Sequence, residues 1–156
     1  MARPQVGEKA PDFTLASDRR GTISLSEFRG QAVVVYFYPK DDTSGCTKEA
    51  IEFSQLQPNF DAINTKVIGI SPDSIEKHAK FRTKHDLTVE LASDQDKTVL
   101  EAYGVWVEKS MYGRKYMGVE RTTFLIDKDG QVAQVWNKVK VAGHAQAVLE
   151  AAEKLN

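Results

Sequence analysis

The chain has 156 residues, 41% of them hydrophobic and 28% charged, with a formal net charge of −1. That length suits one domain, expected over residues 1–156, with a substantial core. Near-neutrality offers no basic field for nucleic acid, and no run approaches the roughly 18 apolar residues of a membrane helix. Residues 1–8 lack the apolar centre of a secretory signal, so a cytoplasmic location is the expectation. The single cysteine excludes an internal disulfide framework and a four-thiolate zinc site.

Residues 10–15 alternate apolar and polar and read as a short strand. Arg19-Arg20-Gly21 is a turn, and residues 22–25 pair back as a hairpin. Residues 26–30 form one helical turn closed by Gly30. Residues 32–38 are an unbroken β-branched and aromatic run, the pattern of a strand buried on both faces. Pro39 stops it.

Beyond the turn, Ala50, Phe53, Leu56, Phe60 and Ile63 recur at steps of three and four, one face of an amphipathic helix. Pro58 falls inside the pattern and predicts a kink or break. Residues 67–71 read as a second buried strand. Asp73 is placed to cap a helix reaching about Asp86. Residues 88–91 are extended, and Asp94 or Asp96 caps a helix carrying Val99, Leu100 and Tyr103. Residues 105–118 read as a strand end and a loop. Residues 122–126 are a strand, Asp127-Lys128-Asp129-Gly130 a hairpin turn, and residues 131–136 the returning strand. A last helix starts near Gly143, with Ala145, Val148, Leu149, Ala152 and Leu155 facing inward. Strand, crossover helix and strand make a βαβ unit with parallel strands, so the class is α/β.

The segment Pro39-Lys40-Asp41-Asp42-Thr43-Ser44-Gly45-Cys46 joins the buried strand to a helix and carries the only cysteine. A cysteine at a helix start sits among unpaired N–H groups and the positive end of the helix dipole. Both favour the thiolate, the reactive form. Thr43 offers a hydroxyl to the sulfur or to an incoming oxygen. Gly45 permits close backbone approach, and Pro39 stiffens the entry and shields the thiolate from water. A lone cysteine is most often a small buried hydrophobe. Against that, this one is read on a polar turn, off the face marked by Ala50, Phe53 and Leu56. It also follows a buried strand, where open α/β sheets place their sites.

Pro39-x-x-x-Thr43-x-x-Cys46 resembles the peroxiredoxin signature, and residues 36–50 resemble the peroxiredoxin Q branch, or bacterioferritin comigratory protein. Gly7-x-x-Ala10-Pro11-Asp12-Phe13-Thr14-Leu15, Tyr103-Gly104-Val105-Trp106 and residues 120–127 resemble further landmarks in the same order. The resemblance implies a thioredoxin-like fold: a central mixed sheet flanked by helices, with an N-terminal hairpin extension. It implies a thiol peroxidase without cofactor or metal, with Cys46 as the peroxidatic cysteine. Thr43 would orient peroxide, Pro39 shield the pocket, and Arg121 hold the thiolate and polarise the O–O bond. Glu49 matches a position that pairs with that arginine. The alternatives are a surface charge for Arg121 and an exposed helix glutamate for Glu49.

Two departures bear on mechanism. Ser44 stands where the branch usually has proline. Ile51 stands where many members carry a second cysteine. An internal disulfide cannot form, so the sulfenic acid is reduced by an external thiol, from thioredoxin or glutaredoxin and glutathione, or paired between subunits. The branch resemblance implies a monomer, and the near-neutral charge and lack of a long apolar run leave no nucleic-acid or membrane partner expected. A thioredoxin-type oxidoreductase would need a cysteine where Thr43 stands. A redox sensor or holdase with little turnover is the alternative on the same fold. His78, His85 and His144 supply no evident ligand set for a metal. Trp106, Trp136, Tyr112 and Tyr116 are expected to pack in the core or at the pocket rim. Lys109, Arg114 and Lys115 form a small basic loop, read as solvated, with reductase docking as the other reading.

Overall fold

The computed structural model describes residues 3–155. Strands β1 (Thr14–Ser17) and β2 (Gly21–Ser24) form an antiparallel hairpin, followed by a 3₁₀ turn at Leu25–Phe28. Then come β3 (Ala32–Phe37), α1 (Ser44–Gln55), α2 (Gln57–Ala62) and β4 (Thr65–Ser71). The chain continues through α3 (Ile75–His85), β5 (Glu90–Ser93) and α4 (Thr98–Ala102). It ends with β6 (Trp106–Met111), β7 (Arg114–Val119), β8 (Thr122–Ile126), β9 (Val132–Trp136) and α5 (His144–Leu155).

Seven strands form one mixed sheet in the order β2-β1-β5-β4-β3-β8-β9. β3, β4 and β5 run parallel, while β8 pairs antiparallel to β3. The N-terminal hairpin extends the sheet at the β5 edge. The fold is a mixed α/β sheet flanked by helices, as the thioredoxin-like expectation requires.

The apolar run of β3 is central, and all six of its residues are buried. Side chains alternate across a strand, so β3 feeds two cores. Val33, Val35 and Phe37 join Ile68, Ile70, Phe124 and Ile126 on one face, covered by Tyr103, Val99 and Leu100. Val34, Tyr36 and Tyr38 join Phe53, Phe60, Phe81, Leu125 and Val148 on the other, beneath α1, α2, α3 and α5. Gly69 lies opposite Tyr36, and a Cβ there would sit 2.6 Å from the ring.

Several boundaries differ from the sequence reading. The first strand begins at Thr14, not at residue 10. Ser74, not Asp73, caps α3, its hydroxyl accepting from the Lys77 N–H at 3.2 Å. Pro58 breaks the long helix at Leu56 and occupies the first turn of α2. The segment over 105–118, read as a strand end and a loop, is the hairpin of β6 and β7. Its turn is Tyr112-Gly113, both with positive φ, the backbone of a two-residue hairpin loop. Tyr112 is 98% exposed and Tyr116 half exposed, so neither packs in the core. Lys109, Arg114 and Lys115 therefore lie on strands. Among the described residues, no helix is long and apolar enough to cross a membrane.

Candidate active site

The turn leaving β3 starts at Pro39 and reverses at Asp42, whose φ of 60° is left-handed. Thr43 is the N-cap residue of α1, with extended backbone, and its carbonyl accepts the first helical bond from the Thr47 N–H at 2.8 Å. Its hydroxyl donates to the Lys40 carbonyl at 2.9 Å. That oxygen can still accept a hydrogen bond. The Thr43 hydroxyl thus folds back on its own turn and does not hold the sulfur.

Cys46 is the third residue of α1, among first-turn N–H groups without intrahelical partners. It is 1% exposed and packs with Ala50 and Phe53. The reading of Cys46 on a polar turn, off the apolar face, is thus corrected. Residues 46, 50 and 53 share one face because the 3.6-residue period extends back to the first turn.

Arg121 precedes β8 and reaches under the start of α1. Its Nη2 donates to Cys46 Sγ at 3.2 Å, and its Nη1 donates to Glu49 Oε1 at 2.5 Å. Glu49, one turn after Cys46, is buried. One guanidinium therefore bridges sulfur and carboxylate, so neither the surface-charge nor the exposed-glutamate alternative applies. Gly45 makes room for it: a Cβ there would lie 3.2 Å from Arg121 Nη2. Burial works against the charge on Arg121, but Glu49 and the Cys46 sulfur outweigh it and raise its pKa. Burial pushes Glu49 up to about 7, with Arg121 pulling the other way. Glu49 Oε2 is buried without a hydrogen-bond partner.

His144, the first residue of α5, backs this site. Its Nε2 lies 2.8 Å from Thr123 Oγ1, and its ring stands edge-on to Phe53 and Trp136. Burial, then repulsion from Arg121, lowers its pKa to about 4, so it is neutral. His85 Nε2 and Lys84 Nζ meet the Asp42 carboxylate at 2.9 and 2.7 Å. His78 is fully buried among Asp41 and Asp73, with ligand-type atoms within 4.8 Å of one another. Hydrogen bonds already engage these groups. Asp41 accepts from the Tyr38 hydroxyl at 2.6 Å and meets His78 Nδ1 at 2.6 Å. Asp73 Oδ2 accepts from the Asp41 N–H at 2.8 Å and the Ser71 hydroxyl at 2.7 Å. The trio is an internal polar network, and sequence reasoning missed it.

The site is thus a buried cysteine at a helix start whose sulfur accepts from an arginine that also holds the buried glutamate one turn on. Residues 6–135 match the AhpC/TSA family. The chain belongs to that family. Peroxiredoxin Bcp of Bacillus subtilis is 46% identical over 146 residues, 94% of this chain and 93% of its own. The structure of bacterioferritin comigratory protein from Xanthomonas campestris, studied for alkyl peroxide reduction, superposes with a TM-score of 0.90. It is 41% identical and covers 96% of this chain and 98% of its own. Two Xanthomonas campestris peroxiredoxin Q variants also match at TM-score 0.90. They are 42% and 41% identical, cover 96% of this chain and 98% and 97% of theirs, and have different cysteines replaced by serine. This peroxiredoxin is a thiol peroxidase, acting on peroxides at the expense of a thiol reductant. Unlike that relative, it has one cysteine.

Proposed function

We propose that Cys46 is the peroxidatic nucleophile and that Arg121, Thr43, Pro39, Gly45 and Glu49 form its site. The observation that carries this reading is the 3.2 Å contact between Arg121 Nη2 and Cys46 Sγ. The thiolate attacks one peroxide oxygen as the O–O bond breaks. The sulfur becomes a sulfenic acid, and the other oxygen takes a proton and leaves as water or alcohol. Negative charge moves from sulfur to the leaving oxygen. A guanidinium with several fixed donors can follow that movement. The Thr43 hydroxyl, held by the Lys40 carbonyl, orients the peroxide. Pro39 closes the pocket, Gly45 admits the guanidinium, and Glu49 aims it.

The cycle closes with an external thiol, because Cys46 has no cysteine partner in its own chain. A thioredoxin, or glutaredoxin with glutathione, fits that need, and the enzyme works as a monomer. A cytoplasmic setting, where such thiols are kept reduced, suits this dependence. The test adds one equivalent of peroxide to the reduced protein. One oxygen on Cys46 and no intramolecular disulfide by mass spectrometry support the reading. Full peroxidase activity in Cys46→Ser overturns it.

A second reading draws on the near-complete burial of Cys46. A sulfur withheld from large reductants suits a redox sensor or holdase that forms the sulfenic acid and turns over little. Following peroxide loss with thioredoxin, glutaredoxin and glutathione systems separates the two. Sustained turnover with any of them discards the sensor.

A further inference from the structure

Helix α3 holds the active-site turn at two consecutive residues. On the outside, Lys84 and His85 pair with the Asp42 carboxylate. On the inside, His78, two turns earlier on the same helix, reaches Asp41 with Nδ1 at 2.6 Å and the Ala92 carbonyl of β5 with Nε2 at 3.0 Å. A carbonyl only accepts, so Nε2 carries a hydrogen. Asp41 Oδ1 already accepts from the Tyr38 hydroxyl, and Oδ2 faces Nδ1. In the protonated form of His78, Nδ1 donates to Asp41 and closes a buried ion pair. The other groups facing it are Asp73, from the loop before α3, and the Tyr38 ring, 6.5 Å away between centroids. Burial opposes the charge on His78, and the hydrogen bond and charge of Asp41 lead the groups that outweigh it and raise its pKa.

Asp41 is not an isolated anchor. Its neighbour Lys40 supplies the carbonyl that holds the Thr43 hydroxyl, and Asp42 leads directly into the N-cap. A shift of Asp41 therefore displaces the Thr43 hydroxyl and the start of α1 together. We propose that His78 is a positioning residue for the peroxide reaction, setting the Thr43 hydroxyl and the Cys46 helix start through its contact with Asp41. This rests on the reading of Cys46 and Thr43 as the reacting site. It adds that the site is aligned from α3 as well as from the Arg121 side.

The two imidazole nitrogens can be separated by substitution. Asparagine places a donor near Nδ1 and keeps the bond to Asp41. Glutamine places one near Nε2 and keeps only the bond to Ala92. In stopped-flow oxidation of Cys46 by hydrogen peroxide, His78→Asn is expected within about threefold of wild type. His78→Gln is expected to be about 10–100-fold slower, the scale of a sub-ångström to one-ångström misplacement. A role in packing alone would slow both alike or neither, and either result overturns the proposal. Val89→Ala, in the same core layer, controls for lost stability and retains the wild-type rate in the folded protein. Should His78→Gln not fold, Asp41→Ala reads the same contact from the turn, and an unchanged rate there overturns the proposal. Full activity in Cys46→Ser would instead remove the reading on which it rests.

Discussion

Arg121 Nη2 lies 3.2 Å from Cys46 Sγ, although the two residues are 75 positions apart. The contact joins the first turn of α1 to the residue just before β8, which meet because β3, leading into α1, pairs with β8 in the sheet. It places a permanent cation beside the reacting sulfur. Arg121→Ala is therefore expected to slow oxidation of Cys46 by about 10²–10³-fold, the usual cost of one donor to a developing anion. Arg121→Lys should recover little, because one ammonium cannot hold sulfur and carboxylate in a fixed fork. Stopped-flow rates near those of wild type in either variant would remove Arg121 from the chemistry.

Gly45 separates stability from rate. Alanine is the better helix residue by up to about 1 kcal/mol, and φ at Gly45 is not among the positive values. Its Cβ would meet Arg121 Nη2 at 3.2 Å, however, and push the guanidinium by a few tenths of an ångström. Gly45→Ala should raise the urea midpoint while lowering the peroxide rate by several-fold. A rise in both would show that the close approach is inconsequential.

Glu49 and His144 pull the pH dependence of stability in opposite directions. Burial raises Glu49 from 4.5 to about 7, so its contribution is fullest below 4.5 and is lost as pH rises through 7. Burial and Arg121 lower His144 from 6.5 to about 4, so its contribution is fullest above 6.5 and is lost as pH falls through 4. Each is worth on the order of 3 kcal/mol across its window. Between pH 4.5 and 6.5 the two slopes oppose each other. Glu49→Gln should therefore gain stability with rising pH there, and His144→Gln should lose it. Urea unfolding across that range checks this, and parallel slopes in the two variants would contradict it.

His78 adds a slope on the alkaline side. Its raised pKa means that the ion pair with Asp41 is complete below 6.5 and is lost as pH rises through the folded value. Wild type should lose stability along this limb, and His78→Gln should be flatter. Equal limbs in the two proteins would place the proton elsewhere.

Much of this arrangement was legible from residue patterns. The run over 32–38 could only be a strand with two buried faces, and Asp129-Gly130 marked the β8–β9 hairpin plainly. The β6–β7 hairpin was not legible, because its strands are largely exposed on both faces and carry no alternation to read. Only Gly113, midway between equal arms, signalled the turn. Cys46 was assigned to the wrong face because the helical period was counted from Ala50 forward. Counting back four residues places the sulfur in the core. The Tyr38–Asp41–His78 network depends on a bond between residues 37 positions apart, and local pattern carries no trace of such a pairing. The bond from Thr43 to the Lys40 carbonyl depends on the left-handed Asp42, which no residue type there dictates.

The 1% exposure of Cys46 has a cost for the catalytic rhythm. On the proposed cycle, peroxide can reach a sulfur this buried but a protein thiol cannot, so the first turn of α1 must open before reduction. The opening rate of that turn then sets a ceiling on recycling. A version hardened against heat at this helix would hold its sulfenic acid longer. A second peroxide would then have time to carry the sulfur on to the sulfinic acid, beyond recovery by simple thiols. On that cycle, some softness at the head of α1 is what would let one cysteine be used repeatedly.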